Sequence, residues 1–532
     1  MSTVVEYGAR RVFVVCAVML AALMQLADTT IVNVALPTID GALGASTDEG
    51  AWFITAYIIA NVIVIPLSPW LQTMVGRKNY FALSIAGFTI TSVLCGLAND
   101  ANTEIALRFV QGAFGGGLMV PAQQIIRDTF PAAKLAVSQS LFALAVVLGP
   151  TIGPTLGGIL TDDLTWRWIF FINLIPGILA TALVLLYVRD PAPARRTAFD
   201  VVGVALLAIG LGCLQYVLDE GERNGWFGDT TITLTAIVAT VALVSFVLWE
   251  LFGTKAPAVA LRVFANRTVW ASSAIYFAVA GSFFAILFIQ PLWSQASLGF
   301  TTTLTGLLLM TRAGVLALLF PLTAWVTSQE RWDMRWFAAG GIFLAGLASW
   351  LQTLVMTTQT PFAALIATQA LGGVGYAFIF VPLSVVLFKT VPAASIPPAL
   401  ALTRLIQQMG ASVGSALAAT FLDRNYATAL NALAPSASLG TPAVASFLAG
   451  HGPNALTTLN ALVEAQATNL SAVSTTQFFA IVTMAAAVLP FLLARNVQTV
   501  ASPAAQGPTP PSEQPIAILR GSVEPPRTLV LR

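Results

Sequence analysis

Apolar residues are gathered along the chain in runs of about 20 residues or more, separated by short polar segments. A helix that crosses a bilayer needs about 20 mainly apolar residues, and fourteen runs meet that requirement. In chain order they are 12–35, 51–71, 80–99, 104–126, 138–161, 167–187, 199–218, 230–251, 269–292, 303–326, 336–356, 362–388, 398–421 and 476–495. This pattern predicts an all-α membrane protein with fourteen transmembrane helices, called spans 1 to 14.

The composition agrees with lipid as the main solvent. Of the 532 residues, 57% are hydrophobic and 9% are charged, whereas a soluble domain is about 25% charged. A net charge of +2 argues against a nucleic-acid partner. The first run follows Arg10 and Arg11 and continues without a cleavage site to Pro37, which favours an uncleaved span over a signal peptide.

The distribution of Lys and Arg predicts the orientation of the chain. With the N terminus in the cytoplasm, nineteen of these residues fall in inside segments, three fall in outside segments and three lie within spans. Positive charge collects on the cytoplasmic side of membrane proteins, so both termini are expected there. Residues 422–475 then form the one long external loop, and the Pro-rich residues 500–532 are expected to form a disordered cytoplasmic tail.

A weak internal similarity in the spacing of glycines suggests a duplicated architecture. Span 5 contains Gly149, Gly153 and Gly157, and span 13 contains Gly410 and Gly414 at the same spacing of four. Membrane transporters are often built from repeats. We therefore expect two six-helix bundles with two additional helices between them, at residues 12–187, 199–251 and 269–495.

Asp28 is the acidic residue that the sequence places deep inside a span. A carboxylate in the bilayer core costs roughly 2.5–3.5 kcal/mol on insertion scales, so it is usually functional, although a structural ion pair or cap is the alternative. Arg108 in span 4 is expected at a similar depth, unless it snorkels outward. Because a nearby arginine favours the ionised carboxylate and burial disfavours it, this pair is a candidate proton site.

Glycines and prolines alternate along span 5. The pairs are Gly149-Pro150, Gly153-Pro154 and Gly157-Gly158. Positions four apart share one helix face, where missing side chains let a neighbouring helix approach. The two prolines are expected to kink the helix. Simple tight packing is the alternative to a role in gating.

Two further arginines lie in later spans. Arg312 is near the middle of span 10, and Arg404 is close to the cytoplasmic end of span 13, where it can snorkel. Three arginines against one aspartate within spans predict neutral, weakly acidic or at most monovalent cationic lipophilic substrates.

Several chemistries have no support in the sequence. The chain has no G-x-x-x-x-G-K-[ST] motif and one histidine, His451, and its three cysteines are far apart. ATP-driven transport, a metal site and a hydrolytic enzyme are therefore not expected, and no catalytic residues are assigned.

The residues singled out above resemble the fourteen-span drug:proton antiporters of the major facilitator superfamily, which include multidrug and quaternary-ammonium exporters. Residues 28–37 (DTTIVNVALP) look like that family's first-span motif, and 108–112 (RFVQG) look like its fourth-span motif. The glycine–proline pattern of 149–158 and the run 166–173 (WRWIFFIN) are similar to two further motifs.

The resemblance implies export of amphipathic compounds in exchange for protons, by alternating access between the two bundles and without a cofactor other than the proton gradient. It implies that Asp28 and Arg108 couple to protons and that the glycine–proline pattern of span 5 is a gate. Separately from the resemblance, Asn33, Gln111 and Arg312 are candidate residues of the substrate cavity. Gly76, Arg77 and Lys78 correspond to the family's cytoplasmic loop motif, but Pro69 and Thr73 stand where relatives have Gly and Asp.

The expected location is the inner membrane, and the long external loop makes a periplasmic adaptor and outer-membrane channel candidate partners. A dedicated proton-coupled transporter of a single metabolite is the alternative function. A membrane-embedded enzyme or assembly subunit is the alternative from another class, which the missing catalytic cluster disfavours.

Overall fold

The computed structural model describes residues 5–190, 200–329, 333–438, 441–450 and 454–493. Its helices are α1 (Gly8–Leu43), α2 (Thr47–Val75), α3 (Arg77–Gly96), α4 (Ala101–Gly116), α5 (Met119–Thr129), α6 (Leu135–Asp163), α7 (Trp168–Phe171), α8 (Leu174–Tyr187), α9 (Val201–Glu220), α10 (Thr230–Leu248), α11 (Arg267–Leu298), α12 (Thr302–Ser328), α13 (Met334–Val355), α14 (Phe362–Thr390), α15 (Ile396–Leu433), α16 (Pro442–Gly450) and α17 (Ala455–Ala486).

Fourteen segments of the described chain are long and apolar enough to cross a membrane, which confirms the number of spans. Helices α4 and α5 together form the fourth, with a break at Gly117, and α7 and α8 form the sixth. The fold is helical throughout the described residues, and several helices are longer than their apolar runs. For example, α1 has 36 residues, about 54 Å at 1.5 Å per residue.

Local signals set the helix ends. Ser46 and Glu49 form a capping box at the start of α2, and Asp100 accepts the backbone N–H of Thr103 at 2.9 Å where α4 begins. This hydrogen bond lowers the pKa of the Asp100 carboxyl below its usual value. Gly44 ends α1 in the left-handed conformation, with φ of 63°, which glycine adopts without steric cost.

The two predicted bundles contain equivalent glycine contacts. A Cβ on Gly157 of α6 would lie 2.8 Å from the Ile31 carbonyl oxygen of α1. A Cβ on Gly414 of α15 would lie even closer to the Gly281 carbonyl oxygen of α11. The first helix of each predicted bundle is thus packed backbone to backbone against a later helix. The contacts are made at the glycines whose spacing of four is shared by spans 5 and 13.

Of the two additional helices, α9 packs against α2 and α15, and α10 packs against α9. Tyr216 of α9 stacks on Trp52 of α2 with ring centroids 5.5 Å apart, and Trp226, just after α9, donates to Thr420 of α15 at 3.2 Å. Leu234 and Val241 of α10 remain exposed, which is the pattern of a helix that faces lipid.

The segment 422–475 differs from the expected loop. Helix α15 continues to Leu433, α16 lies within the segment, and α17 begins at Ala455. The apolar runs marked only the hydrophobic parts of these helices, whereas the alanine-rich polar sequence beyond them has high helix propensity. His451 and the predicted tail 500–532 lie outside the described residues.

Candidate functional site

Asp28 lies near the middle of α1 and is 1% exposed. Its Oδ2 accepts a hydrogen bond from Nη1 of Arg108 at 2.7 Å. Its Oδ1 accepts from the side-chain amides of Gln111 at 3.1 Å and Asn173 at 3.3 Å. The structure therefore brings together the first-span and fourth-span residues that the sequence predicted would meet.

The guanidinium of Arg108 does not snorkel to the membrane edge. Its Nε donates to the Phe53 carbonyl oxygen of α2 at 2.9 Å, and its Nη1 donates to Oε1 of Gln111 at 2.7 Å. The ring of Tyr57 lies beneath it, 4.4 Å from the guanidinium carbon. A charge so fully removed from water must be paired, and Asp28 is the group that pairs it.

Asn173 is a member of this site that the sequence analysis did not single out. Besides Asp28, its amide contacts Ser92 of α3 at 3.0 Å, and Ser92 donates to the Phe170 carbonyl oxygen at 2.9 Å. The signal was present, because Asn173 closes the 166–173 motif and is a polar residue at the start of an apolar helix.

Glu104 is a second buried carboxylate that the sequence analysis passed over. It precedes Arg108 by one turn of α4 and is 0% exposed. Neither of its carboxylate oxygens has a hydrogen-bond partner among the described residues. The charged groups that act on it are Arg108, Asp28 and, more weakly, Arg167. Asp28 is therefore not the sole deep carboxylate, contrary to the expectation from the spans.

The glycine face of α6 lies directly behind Asp28. A Cβ on Gly149 would lie 2.5 Å from Cβ of Leu26, and one on Gly153 would lie 2.8 Å from the Ala27 carbonyl oxygen. Thr30 also donates to the Pro150 carbonyl oxygen at 3.2 Å. The segment of α1 that holds Asp28 thus rests on the backbone of α6. Pro154 and Gly158 continue the same helix, and Gly158 is buried.

The cytoplasmic loop motif forms an ion-pair network despite its missing Asp. Gly76 has a φ of 89°, and Arg77 pairs with Asp128 of α5 at 2.6 Å. The backbone N–H of Lys78 donates to Oδ1 of Asp190 at 2.7 Å. Thr73 instead bonds within its own helix, to the Trp70 carbonyl oxygen at 2.7 Å.

The three candidate cavity residues lie in different surroundings. Asn33 is exposed. Gln111 is fully buried and belongs to the Asp28–Arg108 cluster rather than to an open surface. Arg312 is buried in α12 beside Tyr376, whose ring centroid is 5.8 Å from its guanidinium carbon.

Arg404 turns inward instead of snorkelling. Its Nη2 donates to Oε1 of Gln123 in α5 at 3.1 Å, and Gln123 in turn donates to Gln139 of α6 at 3.0 Å. Nearby, the guanidinium carbon of Arg127 lies 5.5 Å from the Phe388 ring centroid. These contacts join the two predicted bundles at the starting face, defined as the face at which α1 begins.

The arrangement is suited to binding and releasing a proton. Arg108 pairs with the carboxylate of Asp28 at 2.7 Å, and a movement that separated them would leave a buried, unpaired carboxylate. Such a group neutralises by taking up a proton. Because α1, α4 and the residue before α8 all hold the cluster, relative motion of these helices would change the pairing of Asp28 with Arg108.

Comparisons with known proteins identify the family and the fold of the chain. Residues 18–415 match the family model described as Major Facilitator Superfamily. The chain is 31% identical over 414 residues to "Multidrug export protein EmrB" of Escherichia coli K12, covering 78% of this chain and 80% of that protein. It is 32% identical to "Fatty acid resistance protein FarB" of Neisseria gonorrhoeae, covering 79% and 82%. The proton:xylose symporter XylE shares the fold, with a TM-score of 0.58 and 14% identity over 92% of this chain and 96% of that chain.

Proposed function

Because the chain belongs to the major facilitator superfamily, we propose that it is a proton-coupled exporter of amphipathic compounds that works by alternating access in the inner membrane. Two relatives of similar length are named for multidrug export and fatty acid resistance, and a fatty acid is itself an amphipathic compound. A dedicated transporter of one metabolite has no comparable support.

The observation that carries the proposal is the buried Asp28–Arg108 ion pair. Moving one proton across about 100 mV supplies about 2.3 kcal/mol, provided that one site binds the proton on one side and releases it on the other. Asp28 meets the requirement for such a site, since it is sealed from water and its counter-ion sits on another helix. Arg108 is the group whose approach expels the proton.

The charge distribution supports a cytoplasmic starting face. In that orientation the contact of Arg404 with Gln123 closes the cytoplasmic side of the two bundles. The 2.6 Å pair of Arg77 with Asp128 reinforces the same side. Transport to the outside then requires the contact of Arg404 with Gln123 to open and close in each cycle, while the glycine contact of α6 with α1 allows the helices to shift against each other.

The extended helices α15 and α17 support a periplasmic adaptor as partner. Helix α15 has 38 residues, about 57 Å at 1.5 Å per residue, and thus projects beyond a hydrocarbon core of about 30 Å. Leu456 and Leu462, in the projecting part of α17, are more than half exposed. Apolar side chains at such a position fit a protein contact.

Asp28→Asn tests the proton site. The amide keeps the shape of the carboxyl group but cannot titrate, so proteoliposomes with this variant should lose uphill efflux of a neutral lipophilic dye driven by a pH gradient. Asp28→Glu should retain part of the activity. Dye movement and the collapse of the pH gradient would be followed together by fluorescence.

Asp40→Asn is the matched control, since it makes the same change in the same helix twelve residues further on. It should transport like the wild type. Uphill efflux by Asp28→Asn at the wild-type rate would place the proton site elsewhere and refute the mechanism.

A further inference from the structure

Arg312 is a buried cation without a counter-ion. It is 6% exposed, and its guanidinium makes no ion pair or hydrogen bond within the described residues, where Nε is sealed from solvent and unpartnered. The sequences of helices α11, α12, α13 and α14 contain no Asp or Glu. Arg108, by contrast, has Asp28 at 2.7 Å. An isolated charge is costly inside a membrane protein, which suggests that something else neutralises Arg312.

The groups around Arg312 can bind rather than repel an anion. Tyr376 lies beside the guanidinium, and its hydroxyl group is buried without a hydrogen-bond partner in the described structure. Gly372 faces Arg312, since a Cβ built there would lie 3.6 Å from Nε. The absent side chain leaves the guanidinium next to the bare surface of α14.

Buried amides continue the polar surface along α14. Gln369 lies on the same helix face as Gly372 and Tyr376, at spacings of three and seven residues. It donates to Gln352 at 3.2 Å, and Gln352 donates to Gln290. Oε1 of Gln369 and Nε2 of Gln290 have no hydrogen-bond partner in the described part of the chain, so a donor and an acceptor remain available.

An apolar aromatic wall adjoins these groups. Phe283 packs edge-on against Tyr376 with centroids 5.0 Å apart, and Phe284 packs against Phe283 at 5.5 Å. A guanidinium binds a planar or tetrahedral oxyanion with two parallel hydrogen bonds, and a phenol hydroxyl can add a third. The aromatic rings suit the apolar body of the same molecule.

We propose that Arg312 and Tyr376 form the subsite for the anionic group of an amphipathic monoanion, a carboxylate or sulfonate, which is the preferred substrate class of this exporter. The inference rests on the proposed export function. An anionic lipid headgroup offers the same chemistry, but we assign the site to the transported compound. The competing structural role for Arg312 is to hold α12 against α14 through the Tyr376 ring.

A pair of fluorescent probes separates charge recognition from apolar binding. The sulfonate 8-anilinonaphthalene-1-sulfonate and the neutral N-phenyl-1-naphthylamine share one aromatic scaffold. Binding of each would be titrated with the full chain in nanodiscs of zwitterionic lipid, after subtraction of empty nanodiscs. Arg312→Gln should weaken binding of the sulfonate by about tenfold or more and leave binding of the neutral probe unchanged, whereas Arg312→Lys should retain part of the sulfonate affinity.

Arg424→Gln is the matched control, because it removes an exposed arginine of the same predicted bundle and should change neither affinity. Equal losses for both probes in Arg312→Gln would assign Arg312 a structural role, and unchanged sulfonate binding would remove it from the site. Weaker sulfonate binding by the wild type when phosphatidylglycerol is added would indicate that the headgroup of an anionic lipid occupies the site. These measurements report binding and need no transport, so they test the anion subsite alone. The proposed export function is tested separately, by the loss of proton-driven efflux.

Discussion

At the scale of single residues, the pairing of Asp28 with Arg108 is determined by more than opposite charge. Asp28 accepts hydrogen bonds from two side chains of α4 and from Asn173, just before α8, and Arg108 is fixed by a backbone carbonyl group of α2. Each partner is therefore placed by a different helix. Helix motion changes several of these bonds together, and the proposed proton coupling through Asp28 depends on that change.

Glu104 presents a contrasting case in the same cluster. An ionised Glu104 would add an unneutralised negative charge next to a pair that is already balanced, so we expect it to carry a proton in this conformation. Glu104→Gln, which mimics the protonated acid, should then fold normally. It should transport within about twofold of the wild-type rate, which corresponds to a change of about 0.4 kcal/mol in the activation free energy.

The efflux assay used for Asp28 would measure the transport rate of Glu104→Gln, with Asp28→Asn as the inactive reference. A loss as complete as that of Asp28→Asn would contradict the prediction. It would identify Glu104 as a second carboxylate that gives up its proton during the cycle.

At the scale of helices, α6 shows how glycine controls packing in a membrane. Apolar side chains gain nothing from leaving lipid for each other, so close helix contact depends on shape and on small residues. The contact of Gly149, Gly153 and Gly157 with residues 26–31 of α1 brings the two backbones together beside Asp28. The same device at Gly410 and Gly414 joins α15 to α11.

Gly153→Leu should separate α6 from α1. A Cβ at this position already lies 2.8 Å from the Ala27 carbonyl oxygen, and overpacking costs about 1–3 kcal/mol or more. We expect a lower thermal unfolding temperature and little or no efflux from protein that still inserts. Gly340→Leu is the control, since no atom lies within 4 Å of its added Cβ, and it should behave like the wild type. Wild-type efflux by Gly153→Leu would show that the contact is dispensable.

At the scale of the whole molecule, the orientation decides what the contacts between the bundles do. The nineteen-to-three bias of positive charge predicts that the starting face is cytoplasmic, and then the contact of Arg404 with Gln123 blocks release to the cytoplasm. The opposite orientation would turn the same contact into an external gate and α15–α17 into a cytoplasmic projection.

Cysteine labelling in spheroplasts tests this orientation. On a background without the three native cysteines, Ser436→Cys in the projection should react with a membrane-impermeant thiol reagent, whereas Lys255→Cys at the starting face should react only after permeabilisation. Both side chains are exposed, so access to the reagent is the variable. The reverse pattern would refute cytoplasmic termini.

The sequence by itself determined the solvent of the chain, the number of spans and the residues at the centre of the site. These are local properties, since 20 apolar residues must lie in lipid whatever their neighbours are. A buried charge such as Asp28 must find a partner. The depth of Arg108 in span 4 then indicated it as that partner, and the family motifs implied export driven by protons.

The tertiary structure alone decided which side chains complete the site. Asn173 donates a hydrogen bond to Asp28, and Glu104 is buried one helical turn before Arg108. Gln111 belongs to the Asp28–Arg108 cluster, and Arg404 contacts Gln123 of the other predicted bundle. The positions of these groups depend on the rotation and depth of each helix against its neighbours. A span buried on several sides has an apolar pattern almost all round its surface, so its sequence does not record that rotation, and only the packed helices show which polar groups meet.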